Sequence, residues 1–217
     1  MILKSDHTEE LAPALLWKAA LGSRRYGYWL GGTIAYLVLL MGFLNWFFPF
    51  IETRPGILIT DPLLARLPAR DVSVWIFPVL YGTLAVTLAY LSTRPRVLLQ
   101  ALVAFALVHS FRICTLYWLP LDAPAGCIPL ADPLVRHLAY DGKIITRDLF
   151  FSGHTATLCI AWLAVRPRSL KWILGPALLV VMGLLLVQHA HYLIDIVAAL
   201  IISPAGWLLA RRLLRTL

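Results

Sequence analysis

Long apolar stretches alternate with short polar connections along the chain. A membrane helix needs about 20 mostly apolar residues, and six stretches approach or meet this requirement: 27–48, 72–92, 97–119, 150–165, 171–188 and 191–210. Because a proline interrupts the hydrogen bonds of a helix, the prolines between these stretches mark their limits: Pro49, Pro55, Pro95, Pro120, Pro124 and Pro167. The pattern predicts an all-α polytopic membrane protein with six transmembrane helices, the fourth of which is short and begins at a polar cluster.

Composition favours a membrane protein over a soluble one. Of 217 residues, 60% are hydrophobic and 14% are charged, whereas soluble domains carry about 25% charged residues. The mean hydropathy is +0.80 and the isoelectric point is near 9.8. In a membrane protein such basicity reflects topology, so we predict no nucleic-acid partner.

The distribution of lysine and arginine predicts the orientation, because cytoplasmic flanks retain these residues. Taking the flanks alternately, one side holds 12 of the 19 basic residues: Lys4, Lys18, Arg24, Arg25, Arg94, Arg96, Arg166, Arg168, Lys171, Arg211, Arg212 and Arg215. We therefore expect both termini in the cytoplasm. The 49–71 loop, the 120–149 loop and the turn between the last two helices are expected on the periplasmic or lumenal side.

Three parts follow from these limits. Residues 1–26 are predicted to be a cytoplasmic lead-in, since they carry acidic residues and lack the apolar core and cleavage site of a signal peptide. Residues 27–210 form the membrane domain, and residues 211–217 form a basic cytoplasmic tail.

Ionisable residues occur at the edges of three predicted helices. His154 begins the fourth helix in "SGHT", His191 and Asp195 begin the sixth in "HYLID", and Arg112 lies near the end of the third. Such residues are costly in a membrane, so function is the first hypothesis when they converge. The predicted topology brings all four to one membrane face.

The spacing of His191 and Asp195 predicts a reactive imidazole. At positions i and i+4 the two side chains share a helix face. A carboxylate that binds one ring nitrogen fixes the tautomer and leaves the other nitrogen free as a nucleophile or base. His154 is then suited to protonate a leaving group and later to deprotonate an acceptor hydroxyl.

The start of the fourth helix is also a candidate phosphate site. The helix is entered through Ser152 and Gly153, and a helix N-terminus offers free N–H groups and a positive dipole end to an anion. Arg112, Lys143 and Arg147 are candidate phosphate clamps.

These motifs resemble the lipid phosphatase and phosphotransferase superfamily called PAP2, and more closely its sphingomyelin-synthase-like branch. "RDLFFSGHT" is similar to that branch's motif with an aspartate four residues before the serine, here Asp148 and Ser152. "HYLIDI" is similar to its His-Tyr-x-x-Asp motif, and "FRICTLYWLPLDAPAGC" resembles its third-helix segment. The resemblance extends from about residue 27 onward.

The resemblance implies a PAP2-like helical bundle over residues 27–210 and a division of labour among three residues. His191 attacks phosphorus to form a phosphohistidine, Asp195 supports it, and His154 handles the leaving and entering oxygens. No metal and no other cofactor is implied.

Departures from the phosphatase branch favour the transferase-like branch. The phosphatase branch carries an arginine six residues before the nucleophilic histidine, where this chain has Leu185. It also carries a Lys-x6-Arg-Pro motif, which this chain lacks. Arg112 or Arg147 would substitute for these clamps. We therefore predict headgroup transfer from a glycerophospholipid donor to a lipid-alcohol acceptor such as ceramide or diacylglycerol. The alternatives are a lipid phosphate phosphatase or phospholipase C that uses water, and a phospholipid-binding carrier or scaffold without chemistry.

Several roles stay open at this point. Asp148 could cap the fourth helix, pair with Arg147 or take part in catalysis. Tyr192 could be an interfacial aromatic or a headgroup contact. The predicted substrate-binding residues are therefore Arg112, Arg147, Asp148, Ser152, Gly153 and Tyr192.

Two structural alternatives also stay open. A zinc site built from His154, His189, His191 and Asp195 is disfavoured, because residues at i and i+2 of a helix point to different faces. A disulfide between Cys114 and Cys127 is the other alternative, although buried cysteine is commonly a small apolar residue.

Overall fold

A computed structural model describes residues 13–130 and 144–217. Within these ranges the chain is helical, with 72% helix and no strands. We number the described helices in chain order: α1 Pro13–Gly22, α2 Arg24–Thr53, α3 Ser73–Leu91, α4 Pro95–Trp118, α5 Gly153–Ala164, α6 Arg168–Val187 and α7 Leu193–Leu213.

Five of the described helices are long and apolar enough to cross a membrane, namely α2, α3, α4, α6 and α7. The predicted count of six is not confirmed, because α5 has 12 residues. A helix of that length rises about 18 Å, which is shorter than the hydrocarbon layer of about 30 Å. The apolar run at 150–165 is longer than this helix, because the first residues of the run belong to the irregular segment that precedes Ser152.

Helix α5 lies at the centre of the bundle. It packs against α3, α4, α6 and α7, and seven of its residues are buried: Thr155, Ala156, Leu158, Cys159, Ile160, Ala161 and Ala164. The candidate spans differ, because only 22–33% of their most apolar windows are buried. The short helix α5 is thus surrounded by longer helices. The outward faces of these longer helices are apolar and exposed, as contact with lipid requires.

The helices run alternately up and down, which gathers their connections at two ends. At one end, the Tyr26 hydroxyl donates to the Pro95 carbonyl at 2.9 Å and the Trp17 indole donates to the Ser92 carbonyl at 2.6 Å. The described basic residues of the predicted cytoplasmic flanks lie along this end, outside the apolar middle of the helices: Lys18, Arg24, Arg25, Arg94, Arg96, Arg166, Arg168, Lys171, Arg211, Arg212 and Arg215.

The opposite end carries the predicted chemistry, and its loops interlock. Ile57 donates to the Pro120 carbonyl at 2.9 Å and accepts from the Asp122 N–H at 3.1 Å. A Cβ at Gly56 would lie 2.5 Å from the Asp122 backbone nitrogen. Only glycine allows this close crossing of the two loops.

All three cysteines are free thiols. Cys114 is exposed on α4, Cys127 is half-buried in the loop that follows, and Cys159 is buried in α5. Burial and the nearby Glu52 charge raise the pKa of the Cys127 thiol. The alternative of a Cys114–Cys127 disulfide is therefore not realised in this structure.

Candidate active site

His191 and Asp195 form a buried pair where α7 begins. The Nδ1 atom of His191 lies 3.3 Å from Oδ2 of Asp195, and the two side chains are 4% and 0% exposed. The same carboxylate oxygen accepts the Tyr192 N–H at 2.9 Å, as a carboxylate in the first turn of a helix commonly does. The carboxylate therefore orients the imidazole through Nδ1, and Nε2 takes no part in this contact.

His154 faces the same pocket from the first turn of α5. The ring centroids of His154 and His191 are 6.4 Å apart, with 64° between the ring planes. Both rings line one cavity of about 30 Å³, together with Cys127, Pro129, Leu130, Ile145, Thr146, Asp148 and Ala190. Two histidine motifs that are distant in sequence thus meet at one small, partly polar pocket.

Hydrogen bonds fix the segment that carries His154 against the segment that carries His191. The Ser152 N–H donates to the Asp195 carbonyl at 3.1 Å, and the Ser152 hydroxyl caps α5 by accepting the Thr155 N–H at 3.3 Å. The start of α5 is therefore bonded directly to the first turn of α7.

Arg112 binds the segment that enters α5. Its Nη2 lies 2.6 Å from Oδ1 of Asp148, and its Nε donates to the Phe151 carbonyl at 2.5 Å. The guanidinium packs on Gly153, where an added Cβ would lie 3.3 Å from Cζ. Asp148 is thus paired with Arg112 and not with Arg147, and Ser152 takes the capping role that was one hypothesis for Asp148.

Arg147 is held away from the two histidines. Its Nε lies 2.8 Å from Oδ1 of Asp122, and its Nη1 donates to the Glu52 carbonyl. It is not among the residues that line the histidine pocket. Both arginines that we predicted as phosphate clamps are therefore engaged by aspartates, and the third candidate, Lys143, lies outside the described residues.

Glu52 is a site residue that sequence reasoning missed. Its carboxylate accepts the Thr146 hydroxyl at 2.6 Å and the N–H groups of Thr146 and Arg147, each at 3.0 Å. Thr146 lines the histidine pocket, so the end of α2 determines the position of one pocket wall. The only signal in the sequence is an acidic residue near the end of the first apolar stretch, and no motif connects it to residue 146.

Asp61 was missed for the same reason. Its Oδ2 accepts the Leu193 N–H at 2.8 Å, while its Oδ1 accepts the Leu63 N–H at 2.9 Å. The 49–71 loop therefore supplies a cap to the helix that carries Asp195.

Tyr192 is a loop anchor in this structure. Its hydroxyl donates to the Asp122 carbonyl at 2.9 Å and accepts the Ile59 N–H at 3.4 Å. The side chain is 1% exposed, and burial raises the pKa of its phenol, so it stays a neutral donor. The predicted interfacial or headgroup contact would require an exposed side chain.

His189 lies outside the histidine pocket. It adopts a positive φ of 53°, and its ring nitrogens lie 2.8 Å from the Ala125 carbonyl and 3.0 Å from the Leu67 carbonyl. The ring thus joins both loops of this end of the bundle. Within the described ranges, no group of three or more histidine, cysteine or acidic side chains is arranged to hold a metal.

The model of the family described as PAP2 superfamily C-terminal matches residues 147–212. This match supports a relationship between the chain and the PAP2 superfamily. The matched range contains both histidine motifs, from before Asp148 to the last turn of α7. It supports a phosphatase or phosphotransferase that acts on lipid-like substrates, in keeping with the apolar helices of an integral membrane protein. None of the curated proteins matches the chain.

Proposed function

We propose that this protein is a PAP2-type lipid phosphotransferase of the sphingomyelin-synthase-like kind. It moves a phospho-headgroup from a glycerophospholipid to a lipid alcohol, such as ceramide or diacylglycerol, through a phosphohistidine. The observation that carries the proposal is the shared pocket of His154 and His191, in which Asp195 contacts Nδ1 of His191, so that Nε2 is the nitrogen proposed to attack the substrate.

In the first half-reaction, Nε2 of His191 attacks the phosphorus of the donor phosphodiester. The bond from phosphorus to the glycerol oxygen breaks, and protonated His154 gives its proton to that oxygen as diacylglycerol leaves. The Asp195 carboxylate stabilises the positive charge that forms on His191.

In the second half-reaction, neutral His154 removes the proton of the acceptor hydroxyl. The resulting oxygen attacks phosphorus, the bond from Nε2 to phosphorus breaks, and His191 returns to its starting state. Because the donor alcohol leaves before the acceptor enters, one pocket serves both lipids. The N-terminus of α5 contributes N–H groups and a positive dipole end near the transferred phosphate.

Hydrolysis is the second candidate, with lipid phosphate phosphatase or phospholipase C activity. The cavity of about 30 Å³ favours it, since this space suits a water molecule better than a lipid alcohol. The donor phosphate must enter the pocket in either reaction, but the second half-reaction of transfer must also admit a lipid alcohol, whereas that of hydrolysis needs room only for water.

We further propose that the pocket faces the periplasm or lumen and that both termini are cytoplasmic. The support is the concentration of basic residues at the end of the bundle opposite the two histidines.

Turnover of a labelled glycerophospholipid by the purified protein tests these reactions. The lipid is supplied in micelles with ceramide, with diacylglycerol or with neither, and the labelled products are identified. Transfer predicts a new phospholipid only when the matching acceptor is present, hydrolysis predicts a released headgroup phosphate in every sample, and a carrier or scaffold leaves the headgroup attached.

Variants separate the proposed mechanism from other routes. His191→Ala should abolish turnover and the acid-labile phosphoenzyme, while His154→Ala should slow both half-reactions. His109→Gln replaces a histidine that does not line the pocket and controls for general damage. Full turnover by His191→Ala protein would overturn the mechanism.

A further inference from the structure

A second cavity lies between α2 and α4, at the same end of the bundle as the histidines. It has a volume of about 430 Å³ and is lined by aromatic and apolar side chains, among them Trp46 and Phe50 of α2 and Cys114 and Tyr117 of α4. We call it the α2–α4 groove. None of its lining residues lines the histidine pocket.

Stacked rings form one wall of the α2–α4 groove. The ring centroids of Trp46 and Phe50 are 5.4 Å apart with 7° between planes, and those of Phe50 and Tyr117 are 6.4 Å apart with 17°. Such aromatic pairs contribute about 0.5–1.5 kcal/mol beyond the burial of their surface, which favours a fixed arrangement of the rings. The groove is therefore a built apolar slot of a size that accepts part of an acyl chain.

Arg54 places a cation beside this wall. Its guanidinium carbon lies 5.0 Å from the Tyr117 ring centroid and 5.7 Å from that of Phe50, and its Nη1 donates to the Tyr117 carbonyl at 2.8 Å. Among the residues described, no carboxylate pairs with Arg54. Arg112 and Arg147 differ, since each is paired with an aspartate.

The α2–α4 groove and Arg54 are complementary to different parts of a phospholipid. The slot suits a hydrocarbon chain, and the guanidinium retains donors that match the oxygens of a phosphate. Diacylglycerol offers the chain without the anion, and soluble phosphate offers the anion without the chain. The slot lies between two helices that are long and apolar enough to cross a membrane, and Arg54 directly follows the first of them.

We propose that the α2–α4 groove and Arg54 form a phospholipid-binding site separate from the histidine pocket. One acyl chain lies between α2 and α4, and the phosphate pairs with Arg54. The site adjoins the reaction centre, because Phe47 lines the groove and packs in one cluster with Ile145, which lines the pocket.

Native mass spectrometry of the delipidated full chain tests this site, with the His191→Ala substitution present so that no lipid is consumed. The probes are dioleoylphosphatidylcholine and, separately, dioleoylglycerol. Because binding is measured without turnover, failure of this site and failure of the proposed reaction are distinguishable.

Two pairs of variants identify the contacts. Cys114→Trp fills the groove and should weaken phosphatidylcholine binding by about tenfold or more, whereas Cys114→Ser conserves the size of the side chain and should bind as the parent does. Arg54→Gln should weaken phosphatidylcholine binding about tenfold and leave dioleoylglycerol binding unchanged. Arg66→Gln removes an exposed arginine from the neighbouring loop and serves as its control. Equal binding by Cys114→Trp and Cys114→Ser, or an unchanged Arg54→Gln, would overturn the proposal.

The rate of Cys114 alkylation tests phospholipid binding without a substitution in the site. Cys114 is exposed in the groove, Cys159 is buried, and the pKa of Cys127 is raised, so Cys114 should react first with N-ethylmaleimide. Phosphatidylcholine should slow this reaction in a saturable manner. The same alkylation rate with and without phosphatidylcholine would contradict the site.

Discussion

Asp195 serves two donors with a single carboxylate oxygen. Oδ2 accepts Nδ1–H of His191 and the N–H of Tyr192, so one residue both orients the proposed nucleophile and caps α7. The sequence spacing predicted the first contact. The second contact depends on where α7 begins, which is a property of the folded chain.

Asp195→Asn should retain a cap, because the amide oxygen still accepts the Tyr192 N–H. It should lower kcat by roughly 10²- to 10⁴-fold, since an amide cannot stabilise the charged imidazole as a carboxylate does. Steady-state kinetics and the yield of trapped phosphohistidine measure the effect. A loss confined to KM would contradict the orienting role.

Gly153 is required by its contact with Arg112. An added Cβ would lie 3.3 Å from Cζ of an arginine that Asp148 and the Phe151 carbonyl hold in place. Gly153→Ala should therefore destabilise the protein by about 1–3 kcal/mol, as overpacking of a fixed site does.

Gly82→Ala is the matched control for this substitution. Gly82 lies within α3, and an added Cβ there would meet nothing within 4 Å. Alanine should be neutral or stabilise the helix by about 0.5–1 kcal/mol. Thermal unfolding in detergent compares the two variants, and equal unfolding temperatures would contradict the Arg112 contact.

At the scale of elements, the short helix α5 depends on the segment before it. Residues 144–152 form no regular element, yet Glu52 binds Thr146 and Arg147, and Arg112 binds Asp148 and Phe151. These contacts come from α2 and α4. The position of His154 is thus determined by two helices that are distant in sequence.

Glu52→Ala should loosen this segment. It removes one acceptor group from three donors, and unsatisfied donors cost about 1–3 kcal/mol each when buried. Amide hydrogen exchange should increase at residues 144–149, and the unfolding temperature should fall.

Two further variants calibrate that effect. Glu52→Gln keeps one acceptor oxygen, which can still accept the two backbone N–H groups, and should lie between the parent and Glu52→Ala. Thr146→Val removes one of the three hydrogen bonds and should be milder than Glu52→Ala. Unchanged exchange at residues 144–149 in Glu52→Ala protein would show that the segment is held by other contacts.

At the scale of the whole molecule, the two ends of the bundle differ in chemistry. One end holds 11 of the 16 described arginine and lysine residues, and the other holds the remaining five together with His154, His189, His191, Glu52 and Asp61. This asymmetry is the physical basis for the proposed orientation, since positive flanks are retained in the cytoplasm.

Cysteine labelling tests that orientation. In a chain whose three cysteines are replaced by serine, a membrane-impermeant maleimide should label Thr60→Cys in intact cells and should leave Ser92→Cys unlabelled. Both positions are exposed and lie at opposite ends of the bundle. Ser92→Cys should react after the membrane is permeabilised, and the reverse pattern would contradict the orientation.

The sequence by itself determined the all-helical membrane class and the approximate ranges of the long helices, because exposing backbone and polar groups to lipid is costly and local hydropathy reflects that cost. The predicted limit at Pro49 was wrong, since α2 continues through this proline to Thr53. The sequence also predicted the contact of His191 with Asp195, although His191 lies two residues before α7 and reaches the carboxylate from the preceding turn instead of from a shared helix face. Tertiary structure alone decided that Arg112 binds Asp148, that Arg147 binds Asp122, and that Glu52 holds the pocket wall. Such pairings depend on which helix ends lie close together in the folded protein, and the local sequence pattern does not predict this.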